Sequence, residues 1–210
     1  MALRDHSLDD RIAGAARTEF LARGYRDASL RKIAERAGAT VGAIQTRYKS
    51  KDELFARLLG PFLDDIAALF QRTKADYYAG ADILAPLEAA MRHESAAILR
   101  LIFAHYEDAT LLLCRSAGSS LERYFDEIVQ RKIEESVLFF RNSGGMSVDE
   151  GLLGLLIAAQ FDGYRRIVAE CSDRETAEKY MDSLMICHLG GWTALFDSIG
   201  KSQEGNRNEI

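Results

Sequence analysis

Cysteine, proline and long apolar runs are scarce in this sequence, and each shortage excludes a class of protein. The chain has three cysteines among 210 residues and no Cys-x-x-Cys pair, which predicts neither a disulfide framework nor a zinc site. Its longest nearly apolar stretch, residues 152–161, is interrupted by Gln160 and is far shorter than the roughly 18 to 20 residues that span a bilayer. The N-terminal residues lack the apolar segment of a secretory signal. We therefore expect a cytoplasmic protein with no membrane partner.

Signatures of catalytic and metal sites are also missing. The four histidines form no Glu-x-x-His or His-x-x-x-His pair, so the pattern of a di-iron helical bundle is absent. The sequence has no Gly-x-Ser-x-Gly, P-loop or dinucleotide motif. We therefore expect no catalytic residue, no metal and no cofactor. A redox switch through Cys171 and Cys187 stays open, because it depends on how the structure treats each thiolate.

The charge is unevenly distributed along the chain. The formal net charge is −5, yet residues 1–60 carry twelve basic and eight acidic side chains, so the excess of acid lies in the remainder. Between residues 29 and 51 there are six basic side chains and one acidic side chain. Because phosphate contacts depend on local charge, this distribution predicts a small nucleic-acid-binding module attached to a larger acidic body.

Helical periodicity dominates the sequence. Apolar residues recur at spacings of three and four, alternation of β-branched residues is absent, and only two prolines occur, which predicts an all-α fold. The first helix is expected to begin at Ser7 and to end at Gly24. Its buried stripe is expected to consist of Ile12, Ala16 and Phe20.

Two short helices follow with the spacing of a helix-turn-helix. Ser29 is placed to cap a helix over residues 30–37 that Gly38 ends, and Thr40 is placed to cap a helix over residues 41–47. The glycine-containing turn of three residues between them is typical of this motif.

Capping boxes predict where the later helices begin. In each, a serine is followed three residues later by Glu, at Ser50, Ser119, Ser147 and Ser172. The first opens a long helix to about residue 77, in which Pro61 predicts a kink. The next helical stretch, from about residue 82 to 115, is expected to break near His93 or His105, and the last helix to end near residue 199.

Residues 11–59 also form a longer pattern. It consists of Ile12-Ala13-x-Ala15-Ala16, Phe20, Gly24-Tyr25, Ser29-Leu30-Arg31-Lys32-Ile33-Ala34, Ala37-Gly38-Ala39-Thr40-x-Gly42-Ala43-Ile44, Tyr48-Lys49-Ser50-Lys51 and Leu54. This pattern, about a quarter of the chain, resembles the DNA-binding domain of the TetR (tetracycline-repressor) family. The sequence departs from that family at Gln45, where tyrosine is usual, and at Arg47, where histidine or tyrosine is common.

The second helix of a helix-turn-helix enters the major groove of DNA and its exposed residues reach base edges. Gln45 suits a bidentate pair with adenine, while Arg31 and the lysines suit guanine or phosphate. The residues expected to contact double-stranded operator DNA are Ser29, Arg31, Thr40, Val41, Ala43, Gln45, Thr46, Arg47, Lys49 and Lys51. Ile44 and Tyr48 are expected to face the core.

The resemblance implies that different parts of the chain form domains with different functions. It gives a helix-turn-helix domain at 1–50 and a larger C-terminal helical domain at 51–200 that binds an effector and forms a homodimer, with a flexible polar tail at 201–210. Residues expected to contact the effector are His105, Tyr106, Cys114, Phe125, Phe140, Gln160 and Tyr164. Residues expected at the dimer interface are Leu152, Leu156, Met181, Met185, His188 and Trp192.

These expectations favour a non-enzymatic repressor that binds a palindromic operator as a homodimer and is released by a small, largely apolar effector. Two alternatives stay open. One is a DNA-binding architectural protein or regulator that responds to no ligand. The other is a helical-bundle enzyme or carrier whose basic head contacts a protein.

Overall fold

The regular elements of the described residues are all α-helices, so the predicted all-α fold is confirmed. The computed structural model describes the backbone of residues 6–77, 84–142, 149–171 and 173–207, and the side chains of residues 7–72, 89–141, 149–171 and 173–198. The helices are α1 (His6–Asp27), α2 (Leu30–Ala37), α3 (Val41–Arg47), α4 (Lys51–Tyr77), α5 (Leu84–Ala104), α6 (Tyr106–Cys114), α7 (Tyr124–Asn142), α8 (Glu150–Glu170) and α9 (Arg174–Arg207).

The chain divides into two compact units. Unit 1 combines residues 1–65 with residues 105–125, and unit 2 combines residues 66–104 with residues 126–210. This division differs from the boundary expected between residues 50 and 51. The first half of α4 and the segment containing α6 belong with the N-terminal helices, because they pack together there.

The core of unit 1 forms around α1, which packs against α2 and α6. The predicted stripe of Ile12, Ala16 and Phe20 is fully buried. The Phe20 ring meets the edge of Phe55 on α4, with 4.9 Å between the ring centroids. Burial of such a side chain stabilises the fold by about 1.5–3 kcal/mol. The N-terminal helices and the start of α4 therefore share one core.

The segment that follows α5 is attached to the N-terminal helices by backbone hydrogen bonds. Gly24 interrupts the helical conformation of α1 with φ 73°, a region that favours glycine. The next amide, of Tyr25, donates to the Arg115 carbonyl oxygen at 2.8 Å. The Ser120 amide donates to Asp52 Oδ1 at 2.8 Å, and this bond lowers the pKa of the Asp52 carboxyl. Contacts between residues this distant in sequence explain why residues 105–125 belong to unit 1.

Most of the predicted helix boundaries in the first half of the chain are confirmed. The Glu53 amide donates to Ser50 Oγ at 3.0 Å, as a capping box requires, although the Glu53 carboxylate accepts from the amide of Lys49. Pro61 lies within α4, which continues to Tyr77 as one helix. The break expected near His93 or His105 occurs at His105, between α5 and α6.

Three later predictions were wrong in position. Ser119 accepts the amide of Leu121 within a turn, and α7 begins only at Tyr124. Asp149 caps α8 by accepting the Leu152 amide at 2.8 Å, and Asp173 accepts the Thr176 amide at the start of α9. The serines expected at these two starts, at positions 147 and 172, lie outside the described residues. A carboxylate caps a helix as well as a hydroxyl does, and it also complements the helix dipole.

Unit 2 is built on α9, which packs against α5 and α8. A Cβ added to Gly163 on α8 would lie 2.7 Å from Leu184 Cδ2, so the absence of a side chain lets α8 and α9 approach closely here. The backbone of α9 continues to Arg207, beyond the expected end near residue 199 and into the expected flexible tail. Among the described residues, no helix is long and apolar enough to cross a membrane.

Candidate nucleic-acid interface and effector cavity

The turn between α2 and α3 has the geometry that its sequence predicts. Gly38 adopts the left-handed conformation, with φ 62° and ψ 40°, and ends α2. The Thr40 side chain then caps α3 by accepting the Ala43 amide at 3.0 Å. These two local signals hold the short helices in a fixed arrangement.

The two faces of α3 differ as expected. Ile44 and Tyr48 are buried in the core of unit 1. Gln45 and Thr46 are exposed, although the Thr46 hydroxyl donates to the carbonyl oxygen of Gly42. An exposed amide side chain on a helix anchored by buried neighbours is the arrangement that reads bases in the major groove.

Arg47 is turned back toward α1 instead of outward. Its Nε donates to Asp9 Oδ1 at 2.7 Å, and both side chains are largely buried. A second guanidinium nitrogen, Nη1, donates to the Ala43 carbonyl oxygen. Arg47 would have to exchange Asp9 for a phosphate to contact DNA.

Two further residues predicted to contact DNA, Ser29 and Lys51, make hydrogen bonds within the protein. Lys51 Nζ donates to the carbonyl oxygens of Tyr25, Arg26 and Ala28 at 2.7, 3.1 and 3.0 Å, which uses all three of its N–H groups. Its charge also lies over the Tyr25 ring, 4.6 Å from the centroid. The Ser29 side chain makes no capping bond, and its amide donates to the buried Glu19 carboxylate. Lys51 therefore stabilises the end of α1.

The remaining predicted DNA contacts lie at or near the surface. Arg31, Thr40 and Lys49 are exposed, while Val41 and Ala43 are partly exposed on α3. Arg31 on α2 and Lys49 just after α3 thus place positive charge at the surface of unit 1.

We expect Thr40→Ala to destabilise unit 1 by about 1 kcal/mol, because it removes the one side-chain bond that caps α3. Urea unfolding followed by circular dichroism measures the loss. Thr40→Ser is the matched control, since it retains the hydroxyl. Equal stability of the alanine and serine variants would contradict the capping role.

Unit 2 contains a partly open cavity between the end of α4 and helices α5, α7, α8 and α9. Its enclosed volume is about 70 Å³, well below the ~300 Å³ at which sites for drug-sized ligands begin. A ligand of that size therefore has to displace lining side chains. The lining residues are Phe70, Met91, Glu94, Ser95, Ile98, Lys132, Glu135, Ser136, Phe139, Phe140, Leu153, Ile157, Gln160, Phe161, Trp192 and Phe196.

Two of the predicted effector contacts, Phe140 and Gln160, line this cavity. Tyr164 is buried beside it, where Gln160 Nε2 donates to the tyrosine oxygen at 2.8 Å and burial raises the pKa of the tyrosine hydroxyl. The other four predicted contacts belong to unit 1. They are His105, Tyr106, Cys114 and Phe125. Sequence spacing could not reveal that the chain leaves unit 2 at residue 105 and returns after residue 125.

The cavity wall also holds a buried ion pair that the sequence analysis missed. Lys132 Nζ on α7 lies 2.7 and 2.6 Å from the two carboxylate oxygens of Glu94 on α5. Both side chains are largely buried. The pair joins residues 38 positions apart, so no local sequence signal could indicate it.

Two residues predicted at a dimer interface belong instead to the core of unit 2. Met181 and Trp192 are buried, and the Trp192 ring stacks on Phe196. Met185, Leu156 and His188 are partly exposed. Burial lowers the pKa of His188, and its Nδ1 has no hydrogen-bond partner among the described residues. Helical periodicity groups these α9 residues on one face, and the structure buries Met181 and Trp192 of that face within unit 2.

Several exposed apolar side chains of the described residues lie on α8 and α9. Leu155 and Ile186 are 71% and 69% exposed, and Leu152 is 42% exposed. Here these three residues are called the outer apolar residues. Exposed apolar side chains can mark an interaction site when they lie together.

Metal binding and the reactivity of the Cys171 thiol are the two remaining questions of site chemistry. In the described parts of the chain, no group of three His, Cys, Asp or Glu side chains is placed to hold a metal ion. Burial raises the pKa of the Cys171 thiol, and the charges of Asp173 and Glu170 raise it further. The reactive thiolate of Cys171 is therefore disfavoured.

Comparison with known proteins finds a family similarity in the N-terminal helices. Residues 12–58 match the family model described as "Bacterial regulatory proteins, tetR family". No curated protein matches the chain in sequence.

Solved structures share the fold over nearly the whole chain. The ketosteroid transcriptional regulator KstR2 of Mycobacterium tuberculosis is 21% identical with a TM-score of 0.59, covering 90% of this chain and 96% of that one. NalD, the secondary repressor of the MexAB-OprM multidrug efflux pump in Pseudomonas aeruginosa, is 19% identical with a TM-score of 0.58, covering 89% and 96%. FadR from Bacillus subtilis in complex with stearoyl-CoA is 15% identical with a TM-score of 0.56, covering 87% and 98%.

These structural similarities establish the all-α fold, and the matched segment contains the helix-turn-helix with its exposed α3. Family members of this kind bind DNA and are not enzymes. Residues 12–58 are therefore similar to the regulatory domain of the TetR family, and the chain as a whole shares the fold of solved TetR-like regulators.

Proposed function

We propose that the protein is a homodimeric repressor that occupies a palindromic operator in the cytoplasm and leaves it when a small, largely apolar effector binds the cavity of unit 2. The observation that carries this proposal is the exposed pair Gln45 and Thr46 on a helix fixed by the buried Ile44. The proposed DNA contacts are Arg31, Thr40, Val41, Ala43, Gln45, Thr46 and Lys49, joined by Arg47 once it leaves Asp9.

A dimer is part of the proposal because one α3 reads only a half-site. Two such helices must lie about 34 Å apart, one turn of DNA, to read both halves of a palindrome. The outer apolar residues of α8 and α9 are exposed in a single chain and would be buried between two copies. A two-fold interface places the same surface of each copy against its partner.

Repression and release are supported by proteins of the same fold. NalD is described as a repressor, and FadR has been solved with stearoyl-CoA. In this chain, α4 begins beside α3 in unit 1 and continues into unit 2, so it provides a covalent connection between the two functions. To move an operator complex from 99% to 1% occupancy, an effector must favour the released state by about 5.5 kcal/mol.

The proposal is tested by selecting bound fragments from a genomic DNA library with the purified protein. We expect an inverted repeat among the selected fragments, and release of that complex by one class of metabolite. A bound sequence that no small molecule releases would favour a ligand-independent regulator. Failure to enrich any sequence would overturn the proposal.

Two substitutions separate base reading from phosphate binding. Gln45→Ala should weaken binding of the selected sequence by about 5- to 100-fold while leaving binding to random DNA unchanged, since it removes a base contact. Lys49→Ala should weaken both by the same factor and reduce the slope of affinity against salt by about one. Fluorescence anisotropy over a range of salt concentrations measures both. An equal loss on both duplexes for Gln45→Ala would contradict its reading role.

A further inference from the structure

Arg47 is the one charged side chain of α3, and in the free protein it is paired with a carboxylate of α1. It lies in the last turn of α3, two positions after the exposed Gln45 and two before the exposed Lys49. The negative end of the helix dipole favours a cation there. The Arg47 side chain keeps 19% exposure, so an anion at the surface of unit 1 can reach it.

The bond that holds Arg47 is favoured at both ends. Its Nε donates to Asp9 Oδ1 at 2.7 Å, and its Nη1 donates to the Ala43 carbonyl oxygen at 3.3 Å. Asp9 is 18% exposed and lies in the first turn of α1, where the positive end of the helix dipole favours a carboxylate. A charge-assisted hydrogen bond between two largely buried groups is stronger than the same bond in water. Removing Arg47 from Asp9 therefore costs free energy.

A DNA phosphate and the Asp9 carboxylate are alternative partners for the same guanidinium. Both present anionic oxygens that accept hydrogen bonds from the N–H groups of arginine. Because Nε already donates to Asp9, a phosphate that binds this nitrogen has to displace the carboxylate. Phosphate is present at every position of the duplex, so this displacement costs the same on every DNA sequence.

We propose that Asp9 is an intramolecular competitor of DNA phosphate for Arg47, and that it keeps the affinity of α3 for the DNA backbone low. This inference rests on the proposed function, which places α3 and Arg47 against DNA. Binding to DNA that lacks the operator depends on phosphate contacts, so Asp9 keeps that binding weak. Base contacts such as that of Gln45 then decide where the protein stays bound.

A double-mutant cycle on the full-length protein tests this proposal, with a labelled random-sequence duplex as the probe. Asp9→Asn removes the negative charge but keeps an oxygen that accepts a hydrogen bond from Arg47. We expect it to bind the duplex at least about fivefold more tightly than the wild type, because Arg47 no longer gives up a charged partner. In an Arg47→Ala background this gain should disappear. Fluorescence anisotropy at one fixed salt concentration measures all four proteins.

Asp10→Asn is the matched control for charge. Asp10 is the next residue on α1 and is exposed, and its substitution changes the net charge equally. A gain for Asp9→Asn beyond that of Asp10→Asn therefore comes from the bond to Arg47 and not from the overall attraction to DNA. Circular dichroism checks that each variant keeps the helical content of the wild type.

A comparison that leaves Asp9 unchanged gives a second measurement. Arg47→Ala should weaken binding of the random duplex by a smaller factor than Lys49→Ala, because the phosphate contact of Arg47 is offset by the lost bond to Asp9. A larger loss for Arg47→Ala would overturn the proposal. So would a folded Asp9→Asn protein that binds more weakly than the wild type, or no more tightly than Asp10→Asn. An equal gain in the Arg47→Ala background would overturn it as well.

Failure of this inference is distinguishable from failure of the proposed function. The cycle is measured on random DNA, whereas the proposed function requires selection of an inverted repeat and release by an effector. A protein that selects an inverted repeat but shows no coupling between Asp9 and Arg47 remains a regulator. A protein that shows the coupling but selects no sequence contradicts the regulator proposal instead.

Discussion

Replacing both Leu155 and Ile186 with arginine is expected to separate the proposed dimer and to lower operator affinity by more than about 100-fold. Each side chain is highly exposed in a single chain, so the substitutions should leave its folding intact. In a two-fold interface each would lose about 1.5–3 kcal/mol of burial and bring like charges together. In a dimer, binding of one α3 raises the effective concentration of the other at its half-site. A monomer loses this effect, which increases operator affinity by about 10²- to 10⁴-fold.

The choice of arginine sharpens this experiment. Added positive charge strengthens non-specific attraction to phosphate, so a fall in operator affinity cannot come from charge repulsion. Leu138→Arg is the control, since Leu138 is also more than half exposed but lies on α7. Light scattering should give a monomer for the double variant and a dimer for the control. A double variant that stays dimeric would show that Leu155 and Ile186 do not lie in the dimer interface.

The second large effect concerns the ion pair in the cavity wall. Lys132→Met is expected to destabilise the protein by about 3–5 kcal/mol, because it leaves the Glu94 carboxylate buried without its cation. Replacing both residues with methionine should restore most of the lost stability, since the double variant buries no charge. Urea unfolding of the wild type, both single variants and the double variant completes the cycle.

An ion pair on the surface provides the contrast. Arg141, also on α7, makes two hydrogen bonds to Glu150, but both side chains are exposed. Arg141→Met should therefore leave the free energy of unfolding nearly unchanged. A loss for Lys132→Met as small as that for Arg141→Met would show that Glu94 is not held in a buried environment.

The structure of α2 and α3 was largely predictable from sequence, because the residues that determine it lie close together in the chain. Gly38 and Thr40 fix the ends of α2 and α3, and the spacing of Ile44 and Tyr48 identifies their buried face. Each of these depends on residues a few positions apart. The exposure of Gln45 followed from the same helical period.

Contacts across long sequence distances could not be predicted in this way. Lys51 and Arg47 were predicted to contact phosphate, but they bond partners on α1 and in the turn just after it that are 23 or more positions away. Met181 and Trp192 lie on an apolar face of α9, and periodicity does not tell whether such a face meets its own core or a second subunit. The same limit applies to the predicted effector contacts, because periodicity does not tell that residues 105–125 pack in unit 1.

The proposed joint action of two α3 helices at a fixed separation is central to DNA binding by this protein. It is tested most directly by measuring affinity for operator duplexes whose half-sites are moved apart by 5 or 10 base pairs. Five base pairs turn one half-site to the opposite side of the helix, and ten base pairs return it to the same side at a greater distance. We predict that both insertions reduce affinity at least tenfold and that the five-base-pair insertion gives the larger loss. Affinity independent of the spacing would mean that each head binds alone, and would contradict this joint action.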